Sequence, residues 1–238
     1  MSFISRREFM GLSLSALSAL TLAACGGSGQ SSSVSSSSSA TSSSSSTSSE
    51  SSSAGAGRVT AAGTLITPYD EGYSSGLHHA TIVVKDYGTI KVELDADTAP
   101  ITVSNFAHLV NQGFYDGLKF HRIMKDFMVQ GGDPKGDGTG GSDVNILGEF
   151  SANGKQNDIK HERGVISMAR SSSSNSASSQ FFIMHQTTSS LDGQYAAFGH
   201  VTEGMDVVDK LAEVPAIDDN GTVAEENKPI IESIKMDD

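Results

Sequence analysis

Between residues 28 and 57 the chain is almost nothing but serine, glycine and alanine. Such a tract cannot bury enough apolar surface to offset the entropy of ordering its backbone. It reads as a flexible tether with an r.m.s. span of roughly 30 Å, from about 5–6 Å times the square root of its length. Folding is therefore confined to residues 58–238, one domain's worth of sequence. No run of 18 or more apolar residues offers an ordinary membrane-spanning helix. The net charge of −12 argues against a nucleic-acid partner, whose phosphates would be repelled.

Residues 1–24 read as an export signal. Ser5-Arg6-Arg7-Glu8-Phe9-Met10 has the twin-arginine pattern, and Gly11–Ala24 is a short, mildly apolar stretch diluted by serine. An ordinary secretory signal with two arginines at its head fits as well. Leu22-Ala23-Ala24-Cys25 resembles a bacterial lipobox, which would make Cys25 a lipidated first residue of the mature chain, with 25–57 as tether. Stable anchoring takes more than one acyl chain. Cys25 is the only cysteine, so no disulfide is expected. The expected location is the outer face of the cytoplasmic membrane.

Within the folded stretch, Thr81–Leu94 reads as a hairpin. Ile82-Val83-Val84 leads into a Tyr87-Gly88 turn, after which Ile90, Val92 and Leu94 alternate with polar residues. Asp97-Thr98-Ala99-Pro100 signals a helix start, with a capping residue ahead of a first-turn proline. That helix carries Val103, Phe106, Ala107 and Val110 at helical spacing and closes at Gln112-Gly113. Further strands are expected at 120–123, 128–130, 164–169, 180–184, 197–201 and 230–236. A second helix is expected near Met205–Glu213, with Met205, Val208, Leu211 and Ala212 on one face. Many short strands with glycine-rich turns and only two helices suggest an antiparallel barrel, not a βαβ fold.

Several motifs fail on inspection. Gly131–Gly141, GGDPKGDGTGG, lacks the Lys-Ser/Thr end of a phosphate loop and the ligand spacing of a calcium loop, so it reads as a tight surface loop. His78 and His79 are adjacent on a strand and point to opposite faces. His121 and His161 have no partner at metal-ligand spacing, and no Gly-x-Ser-x-Gly elbow accompanies the serines. Neither metal nor cofactor is expected.

What remains is Phe120–Asp133, FHRIMKDFMVQGGD, and the later Ser179-Gln180-Phe181-Phe182. Together they offer a cation, amides and apolar side chains, but no nucleophile and no acid/base pair. Chemistry with such a set must rest on positioning and hydrogen bonding. Taken singly, Phe127, Met128 and Phe182 read as core, Arg122 as a surface ion pair and Gln130 as a solvated strand residue.

From Thr81 to Met236 the sequence resembles the cyclophilins, the cyclosporin-binding family of peptidyl-prolyl cis–trans isomerases. FHRIMKDFMVQGGD (120–133), GTGG (138–141), RGVISMA (163–169), SQFFIM (179–184), LDGQYAAFG (191–199) and VTEGMDVVDKL (201–211) carry the resemblance. It implies a mainly β fold, an eight-stranded antiparallel closed β-barrel capped by two α-helices, with a substrate groove on the outer face. It places the catalytic arginine on Arg122 and the proline pocket on Phe127, Met128, Phe182 and Leu191. The amide that holds the substrate backbone falls on Gln130, and Ala169, Gln180 and Tyr195 fall on the groove. Arg170 stands where many members have Asn, at a contact made by the backbone, so the change of side chain should matter little.

The implied partners are proline-containing polypeptides, and nothing demands more than a monomer. Ser190 stands where many eukaryotic members have a Trp against cyclosporin, and Tyr195 where they have a groove His. Both departures resemble bacterial members and should weaken cyclosporin binding more than catalysis. They also motivate an alternative, a proline-peptide-binding chaperone module whose isomerase activity is incidental.

Overall fold

The computed structural model describes residues 57–238. The stretch expected to be an export signal, Cys25 and nearly all of the serine tract lie outside the described residues.

The chain opens with a two-residue strand β1 (Thr64–Leu65), then the long hairpin β2 (Leu77–Val84) and β3 (Gly88–Asp95). Helix α1 (Pro100–Asn111) follows, then β4 (Arg122–Met124), β5 (Met128–Gly131) and β6 (Asn145–Ile146). The remainder is β7 (Val165–Met168), β8 (Phe181–Met184), β9 (Ala197–Glu203), α2 (Met205–Ala212) and β10 (Ile231–Met236). Eight strands form one sheet in the order β10-β2-β3-β9-β7-β8-β5-β4, antiparallel throughout. β1 and β6 form a small parallel pair of their own, which the sequence does not announce.

The curled sheet does not close by a paired strand. Its ends meet where the chain before β4 touches the chain before β10: Lys119 bridges Ile230, Phe120 N–H donates to Pro229 O at 2.9 Å, and Ile231 N–H to Leu118 O at 2.7 Å. The expected closed barrel is thus a half-barrel with a seam of a few backbone bonds.

Alternation decides the inside. Ala80, Ile82 and Val84 face Ile90, Val92 and Leu94 across the first hairpin, all buried. Phe106 of α1 fills one mouth, edge-on to Phe181 (5.8 Å, 89°) and tilted against Phe198 at 5.5 Å. Such a fully buried aromatic contributes about 1.5–3 kcal/mol. α2 buries Val207, Val208, Leu211 and Ala212, so Val207 takes the place expected for Met205, which is only half-buried.

The start of α1 differs from the sequence expectation. Its N-cap is Ala99, which has no side chain to cap with. Thr98 is occupied by Asp95, and Asp97 accepts from Gly76 N–H at 2.8 Å. The cap comes instead from Glu149, 47 residues downstream of Thr102. Its carboxylate accepts the N–H groups of Ile101 and Thr102 at 3.0 and 2.8 Å and the Thr102 hydroxyl at 2.7 Å. A carboxylate at a helix N-terminus is favoured by the free amides and the helix dipole.

Candidate active site

Strand pairing sets the site. Arg122 of β4 lies opposite Gln130 of β5, and Gln130 lies opposite Phe182 of β8. Residues directly opposite in an antiparallel pair share a face, so these three form one row across three strands. Met124, Met128 and Met184 form the next row on the same face. The residues between them, Ile123, Val129 and Ile183, point into the barrel and belong to the main core, whereas Met128, Gln130 and Phe182 do not. Reading Phe127, Met128 and Phe182 as barrel core is thereby excluded for Met128 and Phe182: they are buried, but on the outer face.

The row is held at both ends. Arg122 Nη1 donates to Gln130 Oε1 at 3.2 Å, Nε to Asn220 O at 2.7 Å, and Nη2 faces Met124 Sδ at 3.1 Å. Burial lowers the Arg122 pKa, opposed by Tyr195 and Asp218; a guanidinium starts high enough to stay charged. Gln130 Nε2 donates to Gln180 Oε1 at 2.9 Å, and Gln180 Nε2 donates to Gly140 O at 2.7 Å and Gly138 O at 3.1 Å. The two amides therefore form a relay from the arginine to the glycine loop, and it fixes which end of Gln130 is the acceptor.

That loop is the structural answer to the GGDPKGDGTGG motif. Asp133, 1% exposed, accepts the N–H groups of Lys135, Asp137 and Gly138 at 2.6–3.1 Å. Gly132 has φ +83°, and a Cβ there would sit 2.5 Å from Ser179 O, so only glycine fits.

The apolar wall lies beside the row. Phe127 is half-buried, Leu191 is buried, and Met128 and Phe182 are fully covered. Tyr195 stands edge-on to Phe182 (5.8 Å, 84°), and buried His161 stacks behind Phe182 at 6.1 Å. Burial raises the Tyr195 pKa, with Arg170 and Arg122 opposing. Burial also lowers that of His161, with Asp192 opposing. Ala169 is buried and its N–H donates to Gln180 O at 2.9 Å, while Ser190 is exposed at the rim.

Three features escaped the sequence reading. Asn220 supplies the carbonyl that aims Arg122, from a turn whose Asp218 accepts the N–H groups of Asn220 and Thr222. The Arg170 side chain is engaged rather than idle, stacking on Phe150 and Tyr195. Glu149 holds the helix over the barrel mouth. Only a three-dimensional neighbour relation reveals any of them. One surface cavity of about 560 Å³, bordered by Lys85, Lys210 and Lys228, lies away from the row, and one of about 330 Å³ is bordered by Met124, Asp218 and Gly221 beside the supports of Arg122.

Residues 79–236 match the family described as cyclophilin type peptidyl-prolyl cis-trans isomerase/CLD. The chain is 46% identical over 129 residues to peptidyl-prolyl cis-trans isomerase-like 1 of Neurospora crassa, covering 54% of this chain and 77% of that protein. It is 41% identical over 130 residues to peptidyl-prolyl cis-trans isomerase B of Bacillus subtilis, covering 55% and 87%. A solved cyclophilin type peptidyl-prolyl cis-trans isomerase of Cryptosporidium parvum superposes with a TM-score of 0.61 at 30% identity, covering 68% of this chain and 99% of that one. A second structure of that protein, in the presence of the dipeptide Ala-Pro, superposes at 0.60.

Proposed function

The chain belongs to the cyclophilin-type peptidyl-prolyl cis–trans isomerases, and from that membership we propose how its residues turn a prolyl bond and where they do so. The observation that carries the reading is the single row of Arg122, Gln130 and Phe182 on the outer face of the sheet.

The reaction is rotation about the amide before proline. Resonance sets its barrier at about 18–20 kcal/mol. As the bond twists, resonance is lost and the proline nitrogen regains a lone pair. A donor aimed at that nitrogen stabilises the twisted state and finds little to bind in the planar one. Arg122 is that donor: it is charged, and its fork is already oriented by Asn220 O and Gln130 Oε1. Phe127, the half-buried member of the wall, meets the proline ring, and Met128, Phe182 and Leu191 back it. Gln130, fixed by Gln180, holds the substrate backbone on one side so that the other side rotates. The row itself provides no nucleophile and no acid/base pair, in keeping with a reaction that makes and breaks no covalent bond.

Replacing Arg122 with alanine should cut kcat/KM on a Xaa-Pro peptide by about 10²-fold or more, the effect of losing one strong transition-state donor. Unchanged activity would sink this assignment and favour a role in binding alone.

We propose the place of action from the N-terminal sequence. The Arg6-Arg7 pair, the Leu22–Cys25 lipobox and the serine tract support an enzyme tethered outside the cytoplasm by lipid on Cys25, assisting the folding of exported proteins. Mass spectrometry of the mature N-terminus tests this: a diacylglyceryl-modified Cys25 is expected, and an unmodified terminus would refute the anchor.

A further inference from the structure

Arg170 follows β7 at the rim of the apolar wall. Its guanidinium carbon lies 4.7 Å from the Tyr195 ring centre and 5.1 Å from that of Phe150. Nε and Nη2 donate to Gln194 O at 3.1 and 2.9 Å, and Nη1 donates to Ser171 O at 2.9 Å. A guanidinium has five N–H donors, so Nη1 and Nη2 each keep one beyond these bonds. Arg163, by contrast, is neutralised by Asp209 at 2.7 Å. Among the described residues no Asp or Glu oxygen lies within 4.0 Å of Arg170. Neutral carbonyls and aromatic faces thus hold this cation in place without cancelling its charge.

Resting on the assignment of Phe182 to the proline pocket, we infer that Arg170 makes the enzyme favour substrates with an acidic residue next to the proline. Tyr195 packs T-shaped against Phe182 and turns its face to Arg170, so the cation sits one ring beyond the pocket wall. A chain whose proline sits on the wall that Phe182 backs would carry a neighbouring residue past Tyr195, within side-chain reach of the guanidinium. Arg170 stacks on the Tyr195 ring, and Arg170 and Arg122 both oppose burial in setting the Tyr195 pKa, so two cations lie near Tyr195. On a chain of net charge −12 this is a local positive strip, and a carboxylate is the side chain it selects. Two spare N–H groups on a planar fork can receive one carboxylate.

The test measures exchange between cis and trans by NMR for matched peptides carrying Glu or Gln, placed either before or after the proline, with the full chain as catalyst. In at least one placement the Glu peptide should be turned over about two- to five-fold faster in kcat/KM at low salt, the range of an ion pair open to solvent on one side. The preference should shrink at high salt, fall to about one in Arg170→Gln and survive in part in Arg170→Lys. A Glu/Gln ratio of one or less in both placements overturns the proposal, as does a preference that Arg170→Gln leaves intact. Should Arg170→Gln fail to fold, judged by circular dichroism, the wild-type ratio and its salt dependence decide. Turnover of Gln peptides without charge preference sinks this inference alone. No turnover of any peptide sinks the isomerase reading and this inference with it.

Discussion

Replacing Glu149 with alanine should destabilise the folded domain by about 2–4 kcal/mol. The side chain is 4% exposed and accepts three hydrogen bonds, two of them from the N–H groups of Ile101 and Thr102 in the first turn of α1. Those amides have no intrahelical partner, Pro100 before them has no N–H, and Ala99 offers no cap. Truncation strands two buried amides and a hydroxyl. Each buried donor left unmade costs about 1–3 kcal/mol, and a lost cap typically about 1 kcal/mol. The full sum is not expected, because the wild type also bears the cost of burying the carboxyl, which raises its pKa against the pull of the three bonds. At about 2–4 °C per kcal/mol for a domain of this size, the melting temperature should drop by about 5–15 °C. The chain has no tryptophan, so far-UV circular dichroism is the assay. Asp97→Ala is the control. If the cap were local, that variant would be the damaging one; from the structure it should cost under about 1 kcal/mol, since Asp97 holds only Gly76 N–H at the surface. Equal losses in the two variants, or a Glu149→Ala melting point within about 2 °C of wild type, would refute the reasoning. The pH dependence has a definite sign. A carboxyl whose folded pKa is raised keeps its proton where the unfolded chain has released it. Its contribution is therefore fullest below the unfolded value of about 4.3 and is lost as pH rises through the folded pKa. Glu149→Gln, which cannot titrate, should gain on the wild type over that rise.

Gln180→Ala removes the partner that orients Gln130; losing one neutral hydrogen bond of about 0.5–1.5 kcal/mol should lower kcat/KM roughly two- to ten-fold, and an unchanged value would detach Gln180 from the site. Gly132→Ala would place a Cβ 2.5 Å from Ser179 O at φ +83°, and a loss of more than about 2 kcal/mol is expected in urea titration. His161 is held neutral by burial, its pKa lowered, so the stability it supports is present above about pH 6.5 and is lost as pH falls through the lowered folded value. His161→Gln should flatten the fall in melting temperature between pH 7 and 5, and an unaltered slope would assign that fall to other groups such as His121, whose pKa is lowered in the same way.

The second helix and the long hairpin were legible because each buries one face only, whereas α1 is buried nearly all round and was legible from its proline-led start and its helical spacing of apolar residues. Ile90, Val92 and Leu94 alternate with exposed or half-buried residues, and α2 shows a clear apolar stripe opposite the Asp206–Lys210 pair. β2 starts at Leu77, four residues before the expected hairpin, because polar His78 and His79 still pair with Leu94 and Glu93. The two-residue pair of β1 and β6 carries no periodic signal at all. The cap of α1 was misread for a simple reason: Asp97 and Thr98 stand where a local cap is found, but both are engaged elsewhere, and the distant Glu149 takes the position.

For the site, the obstacle was a different one. β8 reads Phe-Phe-Ile-Met with every residue buried, because residues around Leu191 and Tyr195 cover the sheet's outer face. Period-two alternation vanishes when both faces are covered, so no local pattern separates Phe182 from Phe181. Register does: Phe181 lies opposite Gly131 and points with Ile183 into the core, while Phe182 lies opposite Gln130 and joins the row of Arg122. A one-residue slip between β5 and β8 would exchange the two sets completely. Arg122 likewise depends on Asn220, 98 residues away, for its aim. The residue types of this site are thus written locally, but the property that makes them a site, a shared outer face with the cation and the amide in line, belongs to the strand pairing. Changes at Gly132, Ser179 or Gly221, which pack against the backbone of these strands and their connections outside the row, should therefore damage catalysis as changes in the row itself do.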